Sequence, residues 1–192
     1  METNSFWLNL NMIMADKKIT LDEYMAMPIG APYQYINGFL IDWPSRTVPH
    51  QIAFGNFVAA IINYEDKIQN RGIYLIGPIE VILDDKNSYQ PDFIYIAKER
   101  RDILKDYIYG APDLVVEILW EKNAYYDLRP KKDIYEKYGV KEYIIIDPIQ
   151  QNADLYMLKD GAYILGQKAQ LGGVLKSLLL PGFDIEVSKL FQ

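Results

Sequence analysis

The sequence contains no cysteine and only one histidine, His50, among its 192 residues. Without cysteine there can be no disulfide scaffold, zinc ribbon or thiol nucleophile, and the absence of cysteine is typical of a cytosolic protein. A single histidine excludes metal sites built from several histidines, and it leaves a serine triad dependent on His50 alone. Because no nucleophile-elbow motif is present, we do not expect a serine hydrolase.

Long apolar runs and an excess of positive charge are also missing. No run approaches the roughly 20 apolar residues that a transmembrane helix needs, and the first residues, Met1-Glu2-Thr3-Asn4, carry an acid where a secretory signal has positive charge. Lys and Arg number 20 against 26 Asp and Glu, so the net charge of −6 does not suit a broad basic surface that coats nucleic acid. We therefore expect a cytoplasmic protein without membrane contact, whose contacts with nucleic acid are local.

The order of the predicted elements indicates an α/β protein. A capping box of Thr20 and Glu23 begins a short helix, and Asn37-Gly38 between two β-rich arms predicts a hairpin. The hydrophobic pattern then predicts a helix over 50–67, strands over 73–83 and 91–97, a charged helix over 99–105, a strand over 112–119, a helix from Asp127 to Tyr138 ended by Gly139, a strand over 143–148, short strands after Ala153 and a helix over 187–191. We expect an N-terminal extension over residues 1–18 and one domain over residues 19–192.

Glu117 is unusual because it lies within an otherwise apolar strand, residues 114–119. Burying an unpaired carboxylate is costly, so this position needs a basic structural partner or a functional reason. Alternation places Glu117 on the same face as Asp113, Val115 and Leu119. Two interpretations stay open here: a structural ion pair in the core, or an acid of an active site.

Asp92 is the best candidate partner for Glu117. It begins a predicted strand at Pro91-Asp92, far enough before Glu117 for the chain to return antiparallel. If the two strands are neighbours, their carboxylates could hold one Mg²⁺, which prefers oxygen ligands, with Mn²⁺ as a substitute. Asp113 is a poorer partner, since four residues along a strand span roughly 13 Å. We expect Asp113 to act at the strand entry, next to Pro112.

Lys131 is a candidate cation for the same site. It lies four residues after Asp127 on a predicted helix, so the two side chains share one face. An ammonium there could reach the metal site, orient a water and stabilise charge on a phosphate. The alternative, an Asp127–Lys131 pair at the start of a helix, is about as well supported by the spacing. Lys132 points to another side of the helix, and we expect it to be solvated.

Several motifs, in this order, resemble the Uma-type family of restriction-endonuclease-like proteins, which is part of the PD-(D/E)xK nuclease superfamily. They are Tyr33-x-x-Ile36-x-Gly38, His50, Gln90-Pro91-Asp92, Gly110-Ala111-Pro112-Asp113-Leu114-Val115-Val116-Glu117-Ile118-Leu119, Asp127-x-x-x-Lys131-x-x-x-Tyr135 and Gly139-Val140-x-Glu142-Tyr143-x-x-x-Asp147-Pro148. The resemblance covers roughly residues 19 to 190. It implies a restriction-endonuclease-like core with a mixed central β-sheet flanked by helices, preceded by the N-terminal β-hairpin.

The resemblance also implies a set of site residues. Asp92 and Glu117 would be metal ligands, joined by the backbone carbonyl of Ile118, and Lys131 would be the catalytic lysine, moved from its usual strand to the next helix. Asp127 would support this lysine. His50 could contact a phosphate or orient a catalytic group near neutral pH, although a helix-entry residue bonded to the backbone is an equally good interpretation.

Two positions depart from the family pattern. Gln34 stands where the family commonly has a glutamate after the tyrosine of its first hairpin, which favours a single metal ion or weak metal binding. Trp120-Glu121 replaces the Ser-Pro that usually follows the central Glu-x-Leu, which implies a different shape at the mouth of the site.

The sequence therefore predicts a Mg²⁺-dependent endonuclease that hydrolyses DNA and acts as a homodimer, because cutting both strands needs two sites. The alternative is a nuclease fold kept as a binding module without hydrolysis. One local cluster could contact DNA, although a solvated helix face is the more common role for such a group: Lys98, Arg100, Arg101 and Lys105.

Overall fold

The structure, a computed structural model, describes residues 18–43, 46–65 and 72–192. The predicted N-terminal extension lies outside these ranges except for Lys18, as do the last residues of the helix predicted over 50–67. In order, the described elements are α1 (Leu21–Met25), β1 (Tyr33–Ile36), β2 (Phe39–Asp42), α2 (Val48–Glu65), β3 (Ile73–Ile76), β4 (Val81–Asp84), β5 (Asn87–Tyr89), β6 (Phe93–Ile96), a 3₁₀ helix (Lys98–Ile103), β7 (Ile108–Tyr109), β8 (Leu114–Ile118), α3 (Ala124–Leu128), α4 (Pro130–Lys137), β9 (Glu142–Asp147), β10 (Asn152–Lys159), β11 (Ala162–Gln170), β12 (Val174–Lys176), β13 (Asp184–Glu186) and α5 (Val187–Leu190).

The first elements form as their local sequence predicts. The Thr20 Oγ1 atom accepts a hydrogen bond from the Glu23 backbone N–H at 3.2 Å, and the Glu23 carboxylate accepts one from the Thr20 N–H at 2.7 Å. These reciprocal bonds complete the capping box that begins α1. Asn37 and Gly38 both have positive φ, which lets β1 and β2 pair as a tight hairpin.

The central sheet is mixed and six-stranded, with the order β11-β10-β9-β8-β6-β3. Strands β8 and β9 run parallel, whereas β6 pairs antiparallel with β8. All five residues of β8 are buried, as expected of a strand covered on both faces. A second, five-stranded sheet has the order β2-β1-β5-β4-β7 and carries the N-terminal hairpin.

Two core clusters cover the two faces of the central sheet. On one face Leu114, Val116 and Ile118 of β8 pack with Phe57 of α2. On the other face Val115 and Leu119 pack with Tyr135 of α4 and with residues of the five-stranded sheet. The mixed sheet is thus flanked by helices, and the face that holds Glu117 is turned toward α4, as alternation along the strand predicts.

Two predicted elements are wrong because a proline interrupts them. The strand predicted over 73–83 is two strands, β3 and β4, which belong to different sheets and are separated at Gly77-Pro78. The helix predicted from Asp127 is likewise two helices, α3 and α4, with Arg129 in a non-helical conformation before Pro130. Proline has no N–H to continue a ladder and disfavours helical geometry at the residue before it. Asp127 therefore lies near the end of α3 and does not open a helix.

Within the described ranges we find no helix with the length and apolar character needed to cross a membrane.

Candidate active site

The strands β6 and β8 bring Asp92 and Glu117 to the same end of the central sheet. Phe93 pairs with Val116 in the antiparallel register, so Asp92 and Glu117 are the neighbouring positions beyond this pair. The backbone N–H of Ile118 donates a hydrogen bond of 2.8 Å to Asp92 Oδ2. The prediction that the two strands are antiparallel neighbours is confirmed.

Asp92 is buried and lies next to the side chains of His50 and Arg46. Its Oδ2 atom lies 3.3 Å from His50 Nε2, and its Oδ1 atom lies 3.7 Å from Arg46 Nε. Burial alone would raise the pKa of Asp92, but the hydrogen bond and charge of His50, the charge of Arg46 and the Ile118 N–H outweigh it and lower the pKa below its usual value. Asp92 is therefore a carboxylate at neutral pH.

Glu117 is also buried, with only 1% of its surface exposed. Its Oε1 atom accepts hydrogen bonds from Lys131 Nζ at 2.8 Å and from the Tyr135 hydroxyl at 3.1 Å. No described residue donates a hydrogen bond to its other oxygen, Oε2. Burial raises the pKa of Glu117 to about 8; Lys131 opposes this shift, while Asp127 and Asp92 add to it.

Lys131 links two carboxylates in the interior. Its Nζ atom lies 2.8 Å from Glu117 Oε1 and 2.8 Å from Asp127 Oδ1. Burial would lower the pKa of Lys131, but these two acids more than offset it, and the pKa is raised. Burial raises the pKa of Asp127. Lys131 therefore forms the pair with Asp127 that the spacing allows and also contacts Glu117; its role in catalysis stays a prediction.

Gln34 and Asp113 have hydrogen-bond and ion-pair partners other than Glu117 and Lys131. Gln34 is buried on β1, and its side-chain amide donates to the backbone carbonyl of Gln90, two residues before Asp92. Asp113 pairs with Arg100 at 3.2 Å and Lys141 at 2.8 Å, as expected of a structural residue at a strand entry. Arg100 of the predicted DNA-contacting cluster is thus held by a buried acid.

Lys132 differs from the expectation that it is solvated. It does point away from the site, but its side chain is half-buried and its Nζ atom lies 3.5 Å from the centre of the Tyr156 ring. This contact places the ammonium over an aromatic face, where a cation–π interaction stabilises it.

An open cleft of about 610 Å³ lies beside Asp92. His50, Arg46 and Trp43 line it together with Asp92, whereas Glu117 and Lys131 do not. Trp43 lies between the cleft and the Glu117–Lys131 pair, since it lines the cleft and its ring centre is 4.2 Å from Lys131 Nζ. We call Arg46, His50 and Asp92 the open half of the site, and Glu117, Asp127 and Lys131 the buried half.

The sequence interpretation missed three residues of this site. Tyr135 carries a detectable signal, because it lies four residues after Lys131 on one helix and therefore on the same face. Arg46 and Trp43 carry none, since they lie outside the helices and strands and meet the site only through tertiary contacts. Trp43 and Arg46 also contact each other, with the guanidinium carbon 5.0 Å from the ring centre.

The donor set fits one divalent cation such as Mg²⁺. Glu117 Oε2 is buried without a hydrogen-bond donor among the described residues, and Asp92 nearby is ionised. The N–H and C=O of one residue in an extended strand point to the same side, so the Ile118 carbonyl faces the side on which its N–H meets Asp92. These are the oxygen ligands that Mg²⁺ prefers. Within the described ranges, no group of three or more His, Asp or Glu residues is arranged to hold a metal ion.

Comparisons with known proteins show the family and the fold of the chain. The sequence model of the Uma2 family, described as "Putative restriction endonuclease", matches residues 21–188. The chain is similar in structure to "a putative nuclease belonging to DUF820 from Anabaena variabilis ATCC 29413", with a TM-score of 0.74 and 20% identity over 90% of this chain and 97% of the other.

A weaker likeness is to the type IIG restriction endonuclease BpuSI, with a TM-score of 0.38 and 16% identity over 74% of this chain and 15% of the other. No curated protein matches the sequence. The similarity to the DUF820 structure shows that the two chains share a fold, a mixed sheet flanked by helices. The sequence model of the Uma2 family spans nearly the whole sequence, so the chain belongs to the Uma2 family of restriction-endonuclease-like proteins.

Proposed function

We propose that the protein is a metal-dependent endonuclease that hydrolyses phosphodiester bonds of DNA. The observation that carries this proposal is the unpaired, buried Oε2 atom of Glu117 next to the ionised Asp92, with Lys131 bonded to the other oxygen of the same carboxylate. An arrangement with two acids and one lysine at the end of a central sheet has the chemistry needed for phosphodiester hydrolysis.

Asp92, Glu117 and the Ile118 carbonyl would hold Mg²⁺, which stabilises the negative charge that builds up on the phosphate during in-line attack by water. Lys131 is kept as an ammonium by Glu117 and Asp127. It therefore acts as a hydrogen-bond donor that orients the water or a phosphate oxygen, and not as the base that takes the proton. His50 and Arg46 hold Asp92 in its ionised form and in a fixed position. The products would be a 5′-phosphate and a 3′-hydroxyl.

The protein would act in the cytoplasm, where its lack of cysteine is typical. To cut both strands of a duplex it would work as a two-fold dimer, with one site for each strand. The mass of the protein in solution, measured by light scattering with and without Mg²⁺, tests whether the protein is a dimer.

The first experiment is a calorimetric titration with Mn²⁺ of the wild type, Asp92→Asn and Glu117→Gln. We expect saturable binding that is lost in both variants. The matched control is Asp113→Asn, which removes a buried acid of the same strand region that contacts Arg100 and Lys141 instead. The fold of each variant is checked by circular dichroism. If the folded wild type binds no Mn²⁺, the metal-dependent mechanism is wrong.

The second experiment compares cleavage of DNA by Lys131→Ala and Lys132→Ala. Loss of one positioned hydrogen-bond donor lowers kcat by about 10²- to 10³-fold, and we expect a loss of this size for Lys131→Ala only. Lys132 is the adjacent lysine of α4 and contacts Tyr156 instead of the site. Cleavage that persists in Lys131→Ala contradicts the role proposed for this lysine.

A second candidate function is a nuclease fold that binds nucleic acid or protein without hydrolysis. Two observations favour it: Gln34 stands where the family has a glutamate, and Trp43 separates Glu117 and Lys131 from the cleft. The variant Gln34→Glu distinguishes the two candidate functions. A folded wild type that binds no metal, with binding gained in Gln34→Glu, favours the module without hydrolysis.

A further inference from the structure

We propose that the cleft beside Asp92 receives one unpaired nucleotide of the polynucleotide substrate, so that the protein prefers a single-stranded or extrahelical target over a perfect duplex. The inference rests on the nuclease function proposed above and names its substrate class. Three properties of the cleft carry it: its size, the apolar and aromatic character of its wall, and the distribution of charge along it.

The size of the cleft suits one nucleotide. Its volume of about 610 Å³ falls within the range of roughly 300–1,000 Å³ that is usual for sites of small molecules. A double helix cannot enter a cleft of this volume, since its major groove alone is roughly 12 Å wide. A nucleotide that leaves the base stack can enter it, and the phosphate of that nucleotide then lies near the mouth.

The wall of the cleft is largely apolar and includes aromatic rings. Trp43 and Tyr107 line it, together with Phe54 of α2 and the loop over residues 27–32 that follows α1. An unpaired base has two apolar faces that water solvates poorly, and proteins that bind single strands stack such bases on aromatic side chains. Tyr107 is half-buried, so part of its ring is available for this contact.

The charges along the cleft favour one phosphate instead of a run of phosphates. Among the described lining residues the carboxylates are Glu80, Asp92 and Asp106, and Arg46 is the permanently charged cation. Three acids in the wall repel a polyanion that follows the cleft, whereas a neutral base is not repelled. Arg46 Nε lies 3.7 Å from Asp92 Oδ1, so a phosphate bound by Arg46 is placed next to the proposed metal ligand.

Glu80 gives the cleft a fixed hydrogen-bond acceptor. Its carboxylate accepts hydrogen bonds from the hydroxyl of Tyr24 at 2.7 Å, from the hydroxyl of Ser88 and from the side-chain amide of Gln90. A carboxylate has about four lone-pair positions, so one remains for a donor in the cleft. An exocyclic amino group of a base is such a donor, which favours an unpaired cytosine, adenine or guanine over thymine.

The test uses three oligonucleotides of one sequence: a perfect duplex, the same duplex with one extra unpaired cytosine, and the single strand. Affinities are measured by fluorescence anisotropy with Ca²⁺ in place of Mg²⁺, so that the oligonucleotide is not consumed. Stacking of one base on a protein ring changes affinity by roughly 5- to 150-fold. We expect the bulged duplex and the single strand to bind more tightly than the perfect duplex by a factor in this range.

The variant Tyr107→Ala removes one ring from the cleft, and Tyr109→Ala is its matched control. Tyr109 lies two residues further along the chain, is 44% exposed and does not line the cleft. We expect Tyr107→Ala to weaken binding of the bulged duplex and the single strand while binding of the perfect duplex stays the same. Tyr109→Ala should leave all three affinities unchanged. Thermal unfolding checks that both variants are folded.

Two results overturn the inference, and they differ in what else they imply. Equal affinity for the three oligonucleotides, together with cleavage of the perfect duplex, shows that the cleft does not select an unpaired nucleotide and leaves the nuclease function intact. Failure to bind any of the three overturns the nuclease function and the inference with it. An equal loss of all three affinities in Tyr107→Ala also contradicts the inference, since it indicates a general structural role for this ring.

Discussion

The open half and the buried half of the site shift the pKa of a carboxylate in opposite directions. In the open half, Arg46 and His50 lie within 4 Å of Asp92 and lower its pKa. In the buried half, burial dominates and raises the pKa of Glu117, although Lys131 lies 2.8 Å away. The surroundings therefore shift the pKa values of two acids at the end of neighbouring strands in opposite directions.

This difference indicates what each half contributes. Asp92 is ready to bind a cation at any pH near neutral, and it faces the cleft from which a substrate would enter. The buried half carries one lysine for two acids, Glu117 and Asp127. It therefore has one uncompensated negative charge when both acids are ionised, and a cation bound at Glu117 Oε2 would neutralise it.

The largest expected effect comes from removing the cation of the buried half. Lys131→Met keeps the length of the side chain but leaves Glu117 and Asp127 without an ionic partner, which costs about 3–5 kcal/mol in the free energy of unfolding. Urea unfolding at about pH 9, above the pKa of about 8 that Glu117 has in the folded protein, measures this loss. The control, Lys132→Met, removes only a contact with Tyr156 and should cost about 1 kcal/mol or less. Equal losses in the two variants would contradict the assignment of Lys131 to a buried ionic network.

A second prediction concerns Trp43, which separates the two halves. It is 8% exposed, so Trp43→Ala should lower the free energy of unfolding by about 3 kcal/mol and open a path from the cleft to Lys131. In the wild type Lys131 is buried completely. We expect an amine-reactive reagent, followed by mass spectrometry, to label Lys131 faster in Trp43→Ala than in the wild type, with both rates slow because the raised pKa of Lys131 keeps it an ammonium. Exposed Lys189 serves as the internal control for the reagent, and equal rates of labelling of Lys131 in the two proteins would show that Trp43 is no barrier.

Elements with strong local signals were predictable from the sequence. The site residues were predictable only where they lie on such elements. The Asn37-Gly38 turn and the alternation along β8 depend on neighbouring residues, so the hairpin and the face of Glu117 are confirmed. The breaks at Pro78 and Arg129 had a local signal too, because proline limits both its own backbone and that of the residue before it. Trp43 and Arg46 had none, since their contacts with Lys131 and Asp92 arise from the tertiary path of the chain.

The third prediction uses pH to separate the two carboxylates. Glu117 has a pKa of about 8 in the folded protein against an ordinary value of 4.5. Between these values the folded state holds a proton that the unfolded state has released, so stability falls as pH rises from about 5 to 8, by at most about 1.4 kcal/mol per pH unit. Asp92 has a lowered pKa, and its contribution is already complete above about pH 5.

Urea unfolding of the wild type and of Glu117→Gln at several pH values measures this effect. Glu117→Gln should have a flatter profile between pH 5 and 8, because the amide does not titrate. Asp127, whose pKa burial also raises, remains in both proteins and gives the residual slope. Identical slopes in the two proteins would show that Glu117 is ionised in the folded state throughout this range.

The smallest expected effect is that of Arg46→Gln in the open half. The Arg46 side chain is 16% exposed and its ion pair with Asp92 is long, at 3.7 Å, so its loss should lower the free energy of unfolding by about 1 kcal/mol or less. The effect of Arg46→Gln on binding should be larger than its effect on stability, because a phosphate at the cleft would lose the permanently charged cation that binds it.

The slope of log affinity against log salt for a single-stranded oligonucleotide should decrease in magnitude by about 1 in Arg46→Gln. Arg101→Gln, in the 3₁₀ helix away from the cleft lining, is the control. If it changes the slope as much as Arg46→Gln does, the substrate approaches along the 3₁₀ helix and the open half does not receive the phosphate.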